Sequence, residues 1–121
     1  MSYDKINFQE KLTCIQKYWT PKVISEMNEY QFKLVKVKGE FIWHHHQDTD
    51  ETFIVLEGIL HIALQNRVIT LEKGELFVVP KGTKHKPYAN EECHILLIEP
   101  KDVINTGERT TELTAPNDEW I

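Results

Sequence analysis

Two histidines and a glutamate in the middle of the chain are spaced as metal ligands could be. His44 and His46 are separated by one residue, so on an extended strand both imidazoles point to one face and His45 points to the other. The polar stretch 47–50 favours a turn, and Glu51 opens the next apolar stretch. An antiparallel partner strand that begins there brings the Glu51 carboxylate beside the two imidazoles.

A third imidazole follows a later turn. The apolar stretch that starts at Gly74 ends in Pro80-Lys81-Gly82, and His85 lies three residues beyond that glycine. Proline presets one turn dihedral and glycine tolerates a positive φ, so this turn aims His85 back toward the strands. Three imidazoles and one carboxylate form a mixed nitrogen and oxygen site, which suits Mn, Fe, Co, Ni, Cu or Zn better than Ca or Mg.

Each of these residues has an ordinary alternative role. Surface histidines are common, and an isolated glutamate such as Glu51 is usually a solvated acid. The joint placement of the four residues among glycine and proline turn signals favours the site.

The elements that must position these residues are mostly short strands. Stretches rich in Ile, Leu and Val, separated by turn signals that include Asn90-Glu91, lie at residues 23–27, 31–38, 52–57, 59–64, 67–71, 75–79 and 92–98. This spacing predicts an all-β antiparallel sandwich or barrel. No helical pattern recurs between the strands, which argues against alternating strands and helices. Before them, near-helical apolar spacing predicts a short helix within 5–17, with Asn7 as N-cap and Glu10 three residues later.

Length and composition limit the function classes. A chain of 121 residues fits a single domain, and its net charge of −5 argues against binding nucleic acid or an anionic membrane. Two cysteines far apart form no disulfide framework, and the N-terminus lacks a signal-peptide pattern, so we expect a cytoplasmic protein. We expect a helix and edge strand in 1–30, a barrel in 31–100, and a C-terminal tail in 101–121 that packs on the barrel through Trp120 and Ile121.

The glycine, proline and ligand pattern resembles the two motifs of the cupin family. Gly39-x4-His44-x-His46-x4-Glu51-x6-Gly58 is similar to the first motif, and Gly74-x5-Pro80-x-Gly82-x2-His85 is similar to the second. The spacing from Gly39 to His44 is one residue shorter than usual, and Asn90 lies one residue beyond the position of the second motif's final Asn. Between the motifs, residues 59–73 are expected to form a tight hairpin.

The resemblance to small single-domain cupins implies a jelly-roll β-barrel, also called a double-stranded β-helix. It implies a divalent transition metal, such as Fe, Mn, Ni, Zn or Co, held by His44, His46, Glu51 and His85. It further implies a small-molecule ligand and a homodimer to which the N-terminal strands contribute. The family includes dioxygenases and isomerases, so we expect a metal-dependent enzyme of one of these types. The alternatives are a binding or sensor module that uses the metal to capture its ligand, and a stress or storage barrel with a structural metal.

The remaining histidines, the lysines near His85 and the aromatic residues are not expected to bind the metal. We expect His45 to face away from the metal and His61 to face outward, while the orientation of His94 depends on strand register. The sequence identifies no general base beyond the ligands. Lys81, Lys84 and Lys86 form either a solvated turn or an attraction for an anionic substrate. The aromatic residues are expected in the barrel core or cavity wall, and they are Trp43, Phe53, Phe77 and Tyr88.

Overall fold

The computed structural model describes residues 3–121 and confirms the all-β antiparallel architecture. Within this range one helix and seven strands follow in order: α1 (Phe8–Leu12), β1 (Lys22–Met27), β2 (Tyr30–Glu40), β3 (Glu51–Glu57), β4 (Leu60–Ala63), β5 (Val68–Leu71), β6 (Leu76–Val79) and β7 (Lys86–Pro100). The seven strands pair antiparallel and form a barrel. The tight hairpin expected between the two motifs is present as β4 and β5.

The long strand β7 joins the two parts of the barrel. Its first part pairs with β4, its second part pairs with β3, and β2 runs along both parts. The prediction of a break at Asn90-Glu91 was wrong, because β7 passes through these residues. They lie in a bulge, since three residues of β7 between Ala89 and Cys93 face the single residue Lys38 of β2. A bulge bends a strand without ending it, which lets β7 serve both parts.

Alternation along the strands places the core inside the barrel. On β2 and β3, every second residue faces inward, so Val35 and Val37 meet Phe53 and Val55. A second, smaller cluster lies outside the barrel, where Leu12 packs with residues of β1, β2 and β7. The interior cluster consists of Trp19, Val35, Val37, Phe41, Phe53, Val55, Leu60, Ile62, Leu71, Val79, Ala89, Cys93, Ile95 and Leu97.

The N-terminal helix is shorter than the sequence predicts. Asn7 caps it as expected, with its Oδ1 accepting a hydrogen bond from Glu10 N at 3.0 Å. The helix ends at Leu12 because the backbone N–H and the hydroxyl of Thr13 both donate to the carbonyl oxygen of Glu10, which tightens the last turn. Within residues 3–121, no helix has both the length and the apolar character that crossing a bilayer requires.

The C-terminal tail, residues 101–121, crosses the barrel and reaches β1. Trp120 forms a parallel bridge with Val23, so β1 is covered at that point by the tail. The Ile121 side chain packs against the outer cluster, while the Trp120 side chain stays half exposed. Nearer the start of the tail, the Asn105 side chain donates to the carbonyl oxygens of Trp19 and Leu113. These bonds hold the tail across the N-terminal segment.

Candidate metal centre

The four predicted ligand residues meet inside the barrel. Each of His44, His46, Glu51 and His85 offers one ligand atom, and these atoms all lie within 4.8 Å of one another. Glu51 Oε1 lies 3.4 Å from Nε2 of His46 and also 3.4 Å from Nε2 of His85. All four residues are buried. The geometry is that of a small polar cluster enclosed by an apolar barrel.

Direct hydrogen bonds between the two motif segments hold the cluster together. His44 and His85 exchange two backbone hydrogen bonds, of 3.0 and 2.9 Å, as an isolated antiparallel bridge. The N–H of Gly82 donates to the carbonyl oxygen of His46 at 2.8 Å. Glu51 is the first residue of β3 and pairs with Val79, the residue before the proline turn. The turn therefore returns His85 to the other three residues, as the sequence predicts.

Backbone carbonyls fix the orientation of two imidazoles. Nδ1 of His44 lies 2.9 Å from the carbonyl oxygen of Ile42, and Nδ1 of His85 lies 2.9 Å from that of Thr83. A carbonyl oxygen only accepts hydrogen bonds, so each neutral ring carries its proton on Nδ1. When the ring is neutral, its Nε2 carries the lone pair that can bind a metal. Metal-ligating histidines are usually oriented by this kind of hydrogen bond.

Three ligand atoms of the cluster make no well-formed hydrogen bond among residues 3–121 and have only their long contacts of 3.4 Å with one another. They are Nε2 of His46, Oε1 of Glu51 and Nε2 of His85, and all three are buried. A buried polar atom without a partner costs about 1–3 kcal/mol. A cation bound between them would satisfy all three atoms at once. The donor set and its unpartnered atoms therefore fit a metal ion.

The charge states of the cluster also suit a cation. Burial and the neighbouring His85 lower the pKa of His44 to about 4, so this ring is neutral near pH 7. Burial alone would raise the pKa of Glu51, but His46 and His85 outweigh it and hold that pKa below its ordinary value. For His46, burial alone would lower the pKa, and Glu51 reverses the direction and raises it. A metal ion would displace any proton shared between His46 and Glu51.

Two cavities border the cluster on different sides. The outer cleft is open, has a volume of about 650 Å³, and is lined by His46, by the turn 47–50 and by residues 100–104. The inner cavity has a volume of about 30 Å³ and is lined by His44 and Glu51 together with mostly apolar side chains. The cluster thus separates a roomy polar space from a small apolar one.

The other histidines lie outside this cluster. His45 is half-buried, and its two neighbours in sequence, His44 and His46, are the residues that belong to the cluster. The His61 ring stacks on Tyr88 at 4.9 Å, and its Nδ1 lies 2.9 Å from the Thr70 hydroxyl. His94 pairs with Glu92 at 2.7 Å. His45 contributes no atom to the cluster of four, and its orientation away from a metal stays a prediction.

The prediction that four aromatic side chains lie in the barrel core or cavity wall was wrong for Trp43. Phe53 is buried in the core, and Phe77 and Tyr88 are partly buried. Trp43 is 40% exposed, because the alternation that turns His44 inward turns its neighbour outward. The ammonium of Lys86 lies 5.9 Å from the centre of the Trp43 ring.

The lysines near His85 do not converge on one opening. Lys81 lines the outer cleft, where it is accompanied by four acidic side chains. Lys84 lines a separate hollow beside the β4–β5 turn. Lys86 pairs with Glu40 at 2.8 Å. The arrangement favours the reading of a solvated turn over that of an anion-attracting patch.

Sequence reasoning missed a buried pair of ionisable side chains in the barrel. Lys33 and Glu99 are 3% and 2% exposed, and Lys33 Nζ lies 3.5 Å from Glu99 Oε1. The available signal was their position two residues from a core residue on the same strand. Lys33 shares the inward face of β2 with Val35, and Glu99 shares that of β7 with Leu97. Burial and the charge of Glu51 raise the pKa of Glu99, and Lys33 opposes this shift. The interior thus holds a titratable carboxyl group besides the four cluster residues.

Fold and cluster together define a cupin-type barrel with a candidate metal centre. Residues 32–99, more than half of the chain, match the family model of the Cupin domain. The chain belongs to the cupin domain family.

Solved structures share this fold over most of the chain. A cupin-2 domain containing protein from Shewanella frigidimarina is 59% identical, with a TM-score of 0.78, over 79% of this chain and 94% of that one. A protein from Neisseria meningitidis is 33% identical, with a TM-score of 0.74, over 81% of this chain and 100% of that one.

A curated relative matches over a shorter stretch. The uncharacterized protein YdbB of Bacillus subtilis strain 168 is 44% identical over 64 residues, which are 52% of this chain. The match spans 57% of the length of that relative.

Proposed function

We propose that His44, His46, Glu51 and His85 bind one divalent transition-metal ion, such as Fe, Mn, Ni, Zn or Co. We propose further that the protein is a metal-dependent enzyme of dioxygenase or isomerase type that acts on a small molecule. The observation that carries the proposal is the set of three buried, unpartnered ligand atoms converging inside the barrel. When bound, such an ion supplies Lewis-acid or redox chemistry at the positions that the protein ligands leave open.

The chain's own groups have defined tasks in this proposal. The carbonyls of Ile42 and Thr83 orient the rings of His44 and His85. The buried Glu51 carboxylate contributes the negative charge that balances part of a divalent cation. A small molecule reaches the centre through the outer cleft, which His46 borders.

A small-molecule binding module is the second candidate function. It is favoured by the wall of the inner cavity, where Val35, Phe53 and Leu97 carry no group that can transfer a proton. In such a module the metal would capture a ligand without converting it. Oxygen consumption by the iron-loaded protein, measured with a panel of small phenols, thiols and keto acids, separates the two candidates. Turnover supports the dioxygenase reading, and tight binding without turnover or isomerisation supports the module.

Metal titration tests the proposed centre itself. The chelator-stripped protein should bind about one Ni²⁺ or Zn²⁺ per chain, measured by calorimetry and elemental analysis. His85→Ala and Glu51→Gln should each weaken binding by at least about 100-fold, because even the loss of an outer partner of a ligand costs about 10–100-fold. His61→Ala is the matched control, since that ring lies outside the cluster, and it should bind like the wild type. A wild type that takes up none of the five proposed metals would contradict the proposal.

We also propose that the chain forms a homodimer. Exposed apolar side chains lie near both edges of the sheet. Met27 is on the edge strand β1 and Tyr30 is beside it on β2, while Leu76 and Val78 are on the other edge strand, β6. Among the described residues β6 pairs with β3 alone, so its second edge is available to another chain. The N-terminal strands remain a proposed part of the interface, although the tail already covers β1 at Val23.

A further inference from the structure

The inner cavity is lined almost entirely by carbon. Its walls include Val35, Phe41, Phe53 and Leu97, which are all buried, and the ring of Trp19 closes one side. The polar atoms of the cluster reach it only through His44 and Glu51. The cavity therefore adjoins the candidate metal position while offering few groups that could bind water.

The remaining polar groups in the wall are already used elsewhere. Nε1 of Trp19 donates to the carbonyl oxygen of Lys38 at 3.0 Å. The Asn105 amide donates twice, to the carbonyl oxygens of Trp19 and Leu113, and its Oδ1 accepts from Ala115 N. Within the cavity wall, only the face formed by His44 and Glu51 can therefore bind water.

The size of the inner cavity limits what it can hold. A volume of about 30 Å³ exceeds the roughly 10–15 Å³ that one water needs, and is far below the roughly 150 Å³ of a cavity that binds benzene. The space thus fits two or three non-hydrogen atoms. An aromatic ring or a sugar does not fit there, whereas the outer cleft is large enough for either.

The wall formed by Trp19 is held in a costly conformation. Trp19 has a φ of 62°, in the left-handed region that bulky residues rarely adopt. Its backbone N–H donates to the carbonyl oxygen of Lys36 at 2.9 Å, and its ring stacks on Phe41 with centroids 4.8 Å apart. Strain of this kind persists where the surrounding structure enforces it, often beside ligand sites. The ring that lines the cavity is therefore held in place by its neighbours.

We infer that the inner cavity binds a small apolar molecule or group of two or three non-hydrogen atoms, placed beside the candidate metal position. The larger and more polar part of a substrate occupies the outer cleft. The occupant is either a free diatomic molecule such as dioxygen or the apolar tip of an organic substrate. The role of the occupant in catalysis rests on the proposed function. Binding of the occupant in the cavity does not require a metal.

Xenon is the probe for the cavity, since it binds in protein cavities with apolar walls. Crystals of the metal-free protein under xenon pressure should show one xenon atom between Trp19 and Phe53. Val35→Leu adds a methylene group to the wall and should abolish that site, while Val78→Leu adds the same group on exposed β6 and should leave it unchanged. Trp19→Phe shortens the wall and should raise xenon occupancy, which covers the case in which Val35→Leu does not fold.

Two further measurements distinguish the sources of the occupant. Formate, acetate, propionate, butyrate and hexanoate are titrated into the nickel-loaded protein. Affinity that peaks at two or three apolar carbons assigns the cavity to a substrate tip. Affinity that is independent of chain length, combined with oxygen-induced relaxation of the Val35 and Leu97 methyl signals, assigns it to a free diatomic molecule.

The outcomes separate this inference from the metal proposal. A wild type without xenon in the inner cavity, or a xenon site that survives in folded Val35→Leu, overturns the inference. A xenon site in a protein that binds no metal overturns the proposed function and leaves the cavity assignment standing.

Discussion

The backbone of Gly107 in the C-terminal tail lies directly against the carbonyl oxygen of His45. A β-carbon at position 107 would collide with that oxygen, and it would lie 3.5 Å from Cδ2 of His44. The tail continues this contact with a hydrogen bond of 2.8 Å from the Arg109 guanidinium to the carbonyl oxygen of Trp43. The tail therefore packs on the segment that carries two of the candidate ligands.

Gly107→Ala should release the tail from this segment. The substitution combines a positive φ of 65° with the collision, whereas Gly74→Ala has a positive φ of 86° and open space around it. We expect Gly107→Ala to lower the free energy of unfolding by about 1–3 kcal/mol more than Gly74→Ala, because only the former overpacks its site. Urea unfolding measures the difference in the free energy of unfolding. Limited proteolysis should show faster cleavage within the tail, residues 101–121. An equal decrease in the free energy of unfolding of both variants would mean that the tail accommodates the β-carbon at position 107 without extra strain.

Glu99→Gln should change how stability depends on pH in the metal-free protein. The pKa of Glu99 is raised in the folded state above its ordinary value of 4.5, so the folded state holds this proton more tightly than the unfolded state does. Its contribution to stability is therefore present at low pH and is lost as pH rises above that value. The free energy of unfolding of Glu99→Gln, relative to that of the wild type, should therefore increase as the pH rises from about 5 to about 8. Chemical unfolding at several pH values measures this trend.

A matched control and a contrary outcome complete the Glu99 experiment. Glu57→Gln changes an exposed acid that pairs with exposed Lys73, and it should leave the pH trend unchanged. If Glu99 were instead ionised and paired with Lys33, its replacement would strand a buried ammonium. The variant would then be destabilised by about 3–5 kcal/mol throughout the range.

The two cysteines should differ sharply in reactivity. Cys14 is exposed, whereas Cys93 is buried, and burial together with the charge of Glu57 raises the pKa of its thiol to about 12. Because the thiolate is the reactive form, a disulfide reagent at mildly alkaline pH should label one thiol per native chain. The second thiol should react only after denaturation, and Cys14→Ser should abolish native labelling. Fast labelling of Cys93 in the native state would contradict the position of β7.

The dimer proposal predicts a concentration-independent mass of twice the 14.3 kDa chain in light scattering. Leu76→Lys with Val78→Lys places charges on the exposed face of β6, and Met27→Lys with Tyr30→Lys does so at the opposite end of the sheet. The pair that shifts the protein to a monomer identifies the interface, because burying an unpaired ammonium is costly. A wild type that is monomeric at micromolar concentration would refute the proposal.

The sequence by itself determined the period-two strands, the turns between them and the identity of the four clustered residues. His44 and His46 share a face because alternation is a local property of an extended chain, and the Pro80 turn returns His85 because its dihedrals are set locally. The shortened helix and the bulge at Asn90 escaped prediction, since the Thr13 hydrogen bonds and the pairing of β7 with two partners depend on competition between contacts.

Only the tertiary structure decided what surrounds the cluster. Trp19, Glu99 and Gly107 come from separate parts of the chain, and no local pattern relates any of them to His44 or Glu51. Their placement follows from strand register and from the path of the tail, which are set by burial summed over the whole barrel. For that reason the local residue pattern predicts the ligand set, while the inner cavity beside it emerges only when the barrel closes.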